Sequence, residues 1–415
     1  MQVVVAIAVL VGLALLSAGL ARRSIGNRLA AMAVSGLWGA ALVGVVLGPG
    51  AAGLINEGTR EEPGTRDLAT PLVMVTLGWV GMMIGLQARR DVLRRVPERV
   101  WRMVGTDASV TAAVWGPIAW MLVSWAFAGS RADARVGVFM VVVASMLGWS
   151  SETRSVRAPG AERADEPEFA VRASGAILSI ATVCVFGVGA FAVIAVRRRI
   201  LDPDSVLIGV VGGVAWVVLA VVAGGLLGRL GLSLAGRSRG NQLVAFLGTL
   251  TLVAGVATKV GVSAMLCCAL VGAAIGNAKG FGAREFERYL FRAEITVATL
   301  LGLLVGIACS LDVRWPEVAV VAAMVGWRIV AKPWIAGLGF GAPAGRDVVR
   351  FGVMRVHPIG MAAVLALTLM IGREESGRAC LMMVATTLVC DLIARGLSRR
   401  SERTDAVAPA PGGAA

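Results

Sequence analysis

Residues 205–228 read SVLIGVVGGVAWVVLAVVAGGLLG and contain no charged side chain. An α-helix needs about 20 consecutive, mostly apolar residues to cross the hydrocarbon core of a bilayer, so this run is long enough to span a membrane once. A strand of a membrane β-barrel would instead alternate apolar and polar residues over about 10 positions. The stretch therefore predicts a transmembrane helix and favours a helical membrane protein.

Runs of the same kind recur along the chain of 415 residues. They predict thirteen transmembrane segments, at 2–21, 30–48, 69–87, 104–128, 136–153, 170–196, 205–228, 241–258, 261–277, 293–311, 316–335, 348–371 and 379–396. With 57% hydrophobic and 16% charged residues, the composition excludes a soluble globular protein. We predict an all-α polytopic membrane protein, with one transmembrane domain over residues 1–397 and a disordered cytoplasmic tail over 398–415.

The net charge of +14 reflects 40 Lys and Arg against 26 Asp and Glu. Most of the basic residues stand in connections that follow odd-numbered segments, such as the dense run at 89–102. Because basic residues collect on the cytoplasmic side of membrane proteins, the charge indicates topology rather than a nucleic-acid interface. It predicts an outside N-terminus and a cytoplasmic C-terminus, in a plasma membrane of bacterial type.

Two segments contain residues that interrupt a helix. Segment five ends in GWSSET at 148–153, and segment twelve contains RVHPIG at 355–360. If residues 1–196 and 241–397 are inverted repeats joined by a linker helix at 205–228, these are the fifth helices of the two halves. Secondary transporters form their ion sites from such pairs of discontinuous helices. Glycine and proline are nevertheless common in membrane helices, so two interruptions in register can also arise by chance.

Arg328 and Lys332 are basic residues inside segment eleven, four positions apart and therefore on one helical face. An ionisable side chain in hydrocarbon is a functional candidate, because it is costly unless it faces a partner or a cavity. Pro333 follows directly and leaves a gap in the helical hydrogen bonding. The alternative is that Lys332 only anchors the helix end by extending to the membrane surface, and no acid lies nearby in sequence.

Further candidates are Glu152, between Ser151 and Thr153 in the first interruption, and His357, the only histidine, in the second. A carboxylate with neighbouring hydroxyls suits a cation or a proton, and histidine suits proton exchange near neutral pH. Each is equally compatible with a helix-end or loop position. Five other charged residues are predicted to lie at the membrane interface, namely Asp107, Lys259, Glu294, Asp312 and Asp391.

Enzyme signatures are absent from the sequence. There is no phosphate-binding glycine loop, no pair of histidines to hold a metal, and no nucleophile elbow. We predict no enzymatic activity, no cofactor and no metal beyond a transported monovalent cation.

Several stretches resemble the monovalent cation/proton antiporter superfamily, nearest to its Kef-type sodium/hydrogen exchanger branch. GVVLGPGAAGLI at 44–55 is similar to the end of the family's second helix, and VGMMIGLQ at 80–87 resembles the third, with Gln87 in place of the usual acid. IACSLD at 307–312 is similar to the end of the family's tenth helix. Residues 328–332 and 358–366 are similar to the helices that follow it, and Ser150 and Ser151 match the family's Ser-Ser-Thr break. The similarity covers nearly the whole chain in order.

The resemblance implies inverted repeats, a mobile core beside a scaffold that often mediates dimers, and crossed broken helices at an ion site. The family's sixth helix normally carries an ion-binding aspartate, whose place here falls at Ala181 and Thr182. No acid occurs between residues 173 and 196.

The leading prediction is a secondary transporter that exchanges Na⁺ or K⁺ for protons by alternating access. Lys332 would be the basic group, Glu152 or His357 would replace the missing acid, and oxygen ligands would come from Ser150, Ser151, Ser179 and Thr182. The alternative is an antiporter fold without proton coupling, serving as a sensor, an assembly subunit or a transporter of another solute.

Overall fold

The computed structural model describes residues 37–48, 63–147, 167–197, 206–234, 239–260, 262–278, 281–335, 358–370 and 373–407. Every regular element in these ranges is helical. The α-helices are α1 (Leu37–Leu47), α2 (Pro63–Gln87), α3 (Arg90–Leu93), α4 (Glu98–Val110), α5 (Gly116–Ala126), α6 (Ala132–Leu147), α7 (Pro167–Arg197), α8 (Val206–Leu234), α9 (Arg239–Val260), α10 (Ala264–Gly276), α11 (Phe281–Ala308), α12 (Trp315–Gly326), α13 (Pro358–Thr368) and α14 (Arg373–Val407). Two π-helical segments interrupt them, π1 (Thr111–Trp115) between α4 and α5, and π2 (Trp327–Ala331) after α12.

Each predicted segment from the second to the thirteenth overlaps a described helix, with bounds that differ by several residues, and the first segment lies outside the described residues. Within the described ranges, six stretches are long and apolar enough to cross a membrane: Thr70–Gln87, Glu98–Ala126, Ala173–Ala190, Asn241–Lys259, Trp315–Ile335 and Glu374–Ala394. Many large apolar side chains on these helices face outward, as lipid contact requires. The all-α membrane class is thus confirmed.

One group of helices is held together by close glycine contacts. On α2, a Cβ at Gly85 would lie 1.8 Å from the carbonyl oxygen of Ala269 on α10, and a Cβ at Gly272 of α10 would lie 2.3 Å from the carbonyl oxygen of Met82. Such distances leave room for glycine alone. In membranes, where no hydrophobic force drives helices together, this close backbone approach provides the packing energy.

The same kind of contact joins α1 to α11. A Cβ at Gly44 would lie 2.3 Å from the carbonyl oxygen of Leu303, and one at Gly306 would lie 2.0 Å from that of Ala41. In the predicted repeats, α1 and α10 are the second segments and α2 and α11 the third. Each half therefore packs its second segment on the third segment of the other half, which is the pattern expected of inverted repeats.

The second group comprises α4 to α7 and α12 to α14. Here α6 packs on α7 and α13, and α12 packs on α5 and α14. Buried apolar side chains of α6, α13 and α14 belong to the largest core cluster, which also includes residues of α2, α10 and α11. This group holds the charged residues that are buried between helices.

The predicted helix breaks fall largely beyond the described ranges. The described part of α6 ends at Leu147, just before the first interruption, and that of α13 begins at Pro358 within the second. Residues 148–153 and 355–357 lie outside the described residues, so the discontinuity itself stays a prediction.

Candidate functional site

Two helices of the second group are interrupted in the same way. In each helix, one residue separates the end of the π-helical segment from a proline, Pro117 after π1 and Pro333 after π2. Proline has no N–H for the carbonyl four residues back, and its ring crowds that carbonyl. The preceding turn is therefore wider: the N–H of Gly116 donates to the carbonyl of Thr111, five residues back, and π2 closes likewise.

The two π-helical segments meet each other. Trp115 of π1 and Trp327 of π2 place their ring centroids 5.4 Å apart with an interplanar angle of 33°. Their helices are the fourth segments of the two predicted repeats. They run antiparallel: Trp327 lies beside Trp115, whereas Lys332, later in its helix, contacts Asp107, which stands earlier in the other. Single-turn π-helical insertions often occur at functional sites.

Asp107 and Lys332 form an ion pair between these helices. The Nζ of Lys332 lies 2.6 Å and 2.7 Å from the two carboxylate oxygens of Asp107, and 3.2 Å from the hydroxyl oxygen of Thr111. Both charged side chains are fully buried. Removing one ion from water costs several kcal/mol, so neither charge would persist at this depth without the other.

The pair corrects two expectations. Asp107 was expected at the membrane interface, but α4 begins at Glu98 and places it nine residues inside, on the buried face with Val100, Met103 and Val104. For Lys332, the sequence shows no acid nearby, and one alternative placed its amine at the membrane surface. Its partner lies 225 positions away in sequence, and the amine is buried.

Arg328 is also fully buried, one helical turn before Lys332. Its guanidinium donates a hydrogen bond to the backbone carbonyl of Ser145. Ser145 lies in the last described turn of α6. The contact therefore ties Arg328 to that turn, next to the predicted break.

The remaining predicted residues are placed only in part. Ser179 and Thr182 are buried on α7, and their hydroxyls donate to the carbonyls of Gly175 and Leu178 in the same helix, at 2.7 Å and 2.8 Å. This leaves the role of both hydroxyl oxygens as ion ligands a prediction. The other candidates lie outside the described residues: Ser150, Ser151, Glu152, Thr153 and His357.

The other four residues expected at the interface divide into two kinds. Lys259 and Asp312 are exposed and Glu294 is half-buried, as an interfacial position allows. Asp391 is buried, with 9% of its surface exposed, because the long helix α14 packs this face against its neighbours. Asp391 also lies three residues before the end of the candidate span Glu374–Ala394, so its interfacial position stays a prediction.

A second buried ion pair was not predicted from the sequence. Arg378 of α14 contacts Glu317 of α12, and both side chains are about as buried as those of the first pair. The two charged residues are more than 60 positions apart in sequence, so no local pattern indicates that they pair. The only signal that the sequence offers for the first pair is a proline inside the predicted fourth segment of each half, Pro117 and Pro333.

The centre therefore combines the carboxylate of Asp107 with the basic groups of Arg328 and Lys332 inside hydrophobic surroundings. Two carboxylate oxygens and one hydroxyl oxygen converge on a single ammonium group. A monovalent cation in the place of that ammonium would meet the same oxygens. The arrangement thus permits competition between a cation and a protonated amine for Asp107.

Comparison with solved structures identifies the fold. Over 96% of this chain and 97% of the other, it superimposes with a TM-score of 0.59 and 15% identity on the sodium/proton antiporter NhaP1 of Methanocaldococcus jannaschii at pH 8. An electron-microscopy structure of the same antiporter gives a TM-score of 0.59 and 15% identity, over 99% and 100% of the two chains. No protein-family model and no curated protein matches the chain. The antiporter-like fold predicted from the sequence motifs is confirmed, and at this identity the likeness concerns the fold alone.

Proposed function

We propose that this protein is a secondary transporter that exchanges a monovalent cation, Na⁺ or K⁺, for protons by alternating access, with Asp107 and Lys332 as the coupling pair. The observation that carries the proposal is the buried contact of these two side chains at the point where the two π-interrupted helices meet. A charged pair of this kind is costly in a membrane protein and marks a pathway for ions or protons.

The exchange follows from competition for one carboxylate. A cation that binds Asp107 and Thr111 must displace the ammonium group of Lys332. Once displaced, that group is a buried charge without its partner, and burial favours the neutral amine. Lys332 therefore releases its proton as the cation enters, and takes up a proton when the cation leaves. One carboxylate thus holds either a cation or a protonated amine.

This assignment replaces the acid that the sixth helix lacks. The helix α7 has no Asp or Glu between residues 173 and 196, while Asp107 supplies a carboxylate from α4. Ser150, Ser151, Ser179 and Thr182 are proposed as additional oxygen ligands. Glu152 and His357 are proposed to pass the proton between Lys332 and water.

Arg328 has a different role in this proposal. It remains charged throughout, because the backbone carbonyl of Ser145 accepts a hydrogen bond from its guanidinium. Its positive charge beside Lys332 favours release of the proton from that amine, since like charges repel in a medium of low dielectric. Arg328 therefore tunes the coupling pair without itself binding the cation.

A second candidate function is an antiporter fold without proton coupling, in which the chain acts as a sensor, an assembly subunit or a transporter of another solute. The missing acid of α7 favours this reading. In that case the contact of Lys332 with Asp107 is a permanent structural pair. The position of the chain in the Kef-type branch and a homodimeric assembly are likewise predictions from the family resemblance.

Transport by purified protein in liposomes separates the two functions. The vesicles receive an inside-acidic pH gradient, and Na⁺, K⁺ or Li⁺ is then added outside while an internal dye reports pH. We expect cation-dependent collapse of the gradient with the wild type and with Lys259→Ala, whose lysine is exposed on α9, but not with Asp107→Asn. If the gradient is stable to all three cations across the pH range, the exchange function is excluded.

A further inference from the structure

The hairpin formed by α4, π1, α5 and α6 is held by three basic side chains from the second half of the chain. Lys332 binds Asp107 near its beginning, and Arg328 binds the carbonyl of Ser145 near its end. The third base is Arg378, which contacts the turn between α5 and α6. The first two belong to the site described above, whereas Arg378 lies at the opposite end of the antiparallel helix pair.

Arg378 makes several contacts with neighbouring helices. Its guanidinium donates to the carboxylate of Glu317, and its NH2 group also donates to the carbonyl of Ala126 at 3.1 Å. The guanidinium carbon lies 4.5 Å from the ring centroid of Phe127. The other carboxylate oxygen of Glu317 accepts from the backbone N–H of Arg314 at 3.4 Å. Only 2% of the surface of Arg378 and of Glu317 is exposed.

These contacts fix the end of one helix to the beginnings of two others. Ala126 is the last residue of α5, so its carbonyl belongs to the turn that has no helical partner. Glu317 stands in the first turn of α12, and Arg378 near the start of α14. A planar guanidinium that binds a carboxylate, a carbonyl and a ring face permits little rotation of any of the three.

The helix α6 connects this anchor with the site. Only residues 127–131 separate α5 from α6, and α6 is 16 residues long, about 24 Å. One end of this rod is therefore positioned by Arg378, through the turn, and the other by Arg328. A shift of the turn would move the carbonyl of Ser145 relative to Arg328. Arg328 would follow that carbonyl and would also displace the neighbouring Lys332.

We propose that Arg378 is a positioning residue for exchange: held by Glu317, it fixes the α5–α6 turn and thereby the end of α6 at the coupling site. This inference rests on the proposed exchange function. Arg378 does not contact the cation, so its loss should slow turnover and leave the cation concentration for half-maximal rate nearly unchanged.

The test must separate positioning from mere support of the fold. Removing one partner of a buried pair leaves an uncompensated charge, whereas replacing both with apolar residues of similar size is often tolerated. The informative variant is therefore the double substitution Arg378→Met with Glu317→Leu. Arg314→Gln is the matched control, because the Arg314 side chain lies at the same helix end in exposed ion pairs with Asp312 and Glu374, and the substitution keeps the backbone N–H that donates to Glu317.

Two measurements are made on the full-length protein: cation-dependent exchange in liposomes, and hydrogen/deuterium exchange of backbone amides in detergent. For the double variant we expect a wild-type unfolding temperature, a turnover lowered at least tenfold and a half-maximal cation concentration within twofold of wild type. Amide exchange should rise both in the turn at 124–131 and at 142–147. Arg314→Gln should match the wild type in each respect.

A wild-type turnover in the double variant, or faster amide exchange confined to 124–131, would show that Arg378 only supports the local fold. If the wild-type protein exchanges no cation, the proposed function is excluded, but amide exchange at 142–147 still decides whether Arg378 positions α6.

Discussion

The ammonium nitrogen of Lys332 lies within 2.7 Å of both carboxylate oxygens of Asp107, although 225 positions separate the two residues. Replacing a buried ion pair with apolar residues is often neutral or stabilising, so stability alone gives little reason for its presence here. The same pair is well suited to a transporter, because one carboxylate can bind two alternative cations.

Removing the amine should convert the site into an open cation site. In Lys332→Ala, Asp107 loses its counter-charge, and we expect a loss of about 3–5 kcal/mol in the free energy of unfolding and no proton-coupled exchange. Na⁺ or K⁺ should then restore part of the stability by binding Asp107 and Thr111. The measurement is the unfolding temperature in detergent with increasing NaCl or KCl, with choline chloride at equal ionic strength as the reference.

The exposed Lys259 provides the control for this experiment, since Lys259→Ala should keep wild-type stability and show no cation-specific shift. Equal stabilisation of Lys332→Ala by choline chloride and NaCl would contradict a cation site at Asp107.

Asp107 should be required for exchange but not for folding. Asp107→Asn leaves the ammonium of Lys332 buried and unpaired, and should lower the free energy of unfolding by about 3–5 kcal/mol. The double variant Asp107→Asn with Lys332→Met removes that charge and should regain most of this stability. Neither variant should exchange cations in liposomes. Exchange by the stable double variant would remove the pair from the mechanism.

Thr111 should affect cation affinity more than folding. Its hydroxyl oxygen lies 3.2 Å from the Nζ of Lys332, so Thr111→Val removes one of the three oxygens around that position. We expect the half-maximal cation concentration to rise about tenfold, equivalent to about 1.4 kcal/mol. Thr251→Val is the matched control, because the Thr251 hydroxyl is exposed on α9 and donates to its own helix. A similar change in both variants would argue against a specific role for Thr111.

The contact between α2 and α10 should not tolerate a larger residue. In Gly85→Val, the new Cβ would overlap the carbonyl of Ala269, so the two helices must separate and the yield of folded protein should fall severalfold. Gly248→Val on α9 places the same side chain where no atom lies within 4 Å, and the yield should be unchanged. The measurement is the monodisperse fraction in size-exclusion chromatography. Similar fractions for both variants would show that the close contact does not limit folding.

The fold was predictable because it depends on local composition. Long apolar runs such as 205–228 specify transmembrane helices by themselves, since lipid offers no partner to an unpaired backbone. The motif at 44–55 then indicated the antiporter-like arrangement, and Gly44 within it contacts α11 closely.

Only the basic residues of the site were predictable from the sequence. Arg328 and Lys332 stand out because basic residues interrupt an apolar run, and both are buried in the second group of helices. The buried position of Asp107 was missed because the predicted segment began at 104, close to the charged residues of the preceding connection. The α4 helix actually begins at Glu98, and Asp107 continues the buried stripe of Val100, Met103 and Val104. The pairing itself depends on helices that are remote in sequence, which local periodicity does not reveal.

The separation of Asp107 from Lys332 also bears on how the protein is made. Ribosomes add about 5–20 residues per second, so Asp107 is synthesised on the order of 10–45 seconds before its partner. During that time the fourth segment must enter the membrane with a carboxyl group that has no counter-charge. An aspartate at the centre of a helix raises the free energy of insertion by about 2.5–3.5 kcal/mol. The nascent first half therefore depends on the translocation machinery, or on a neutral carboxyl group, until the eleventh segment emerges.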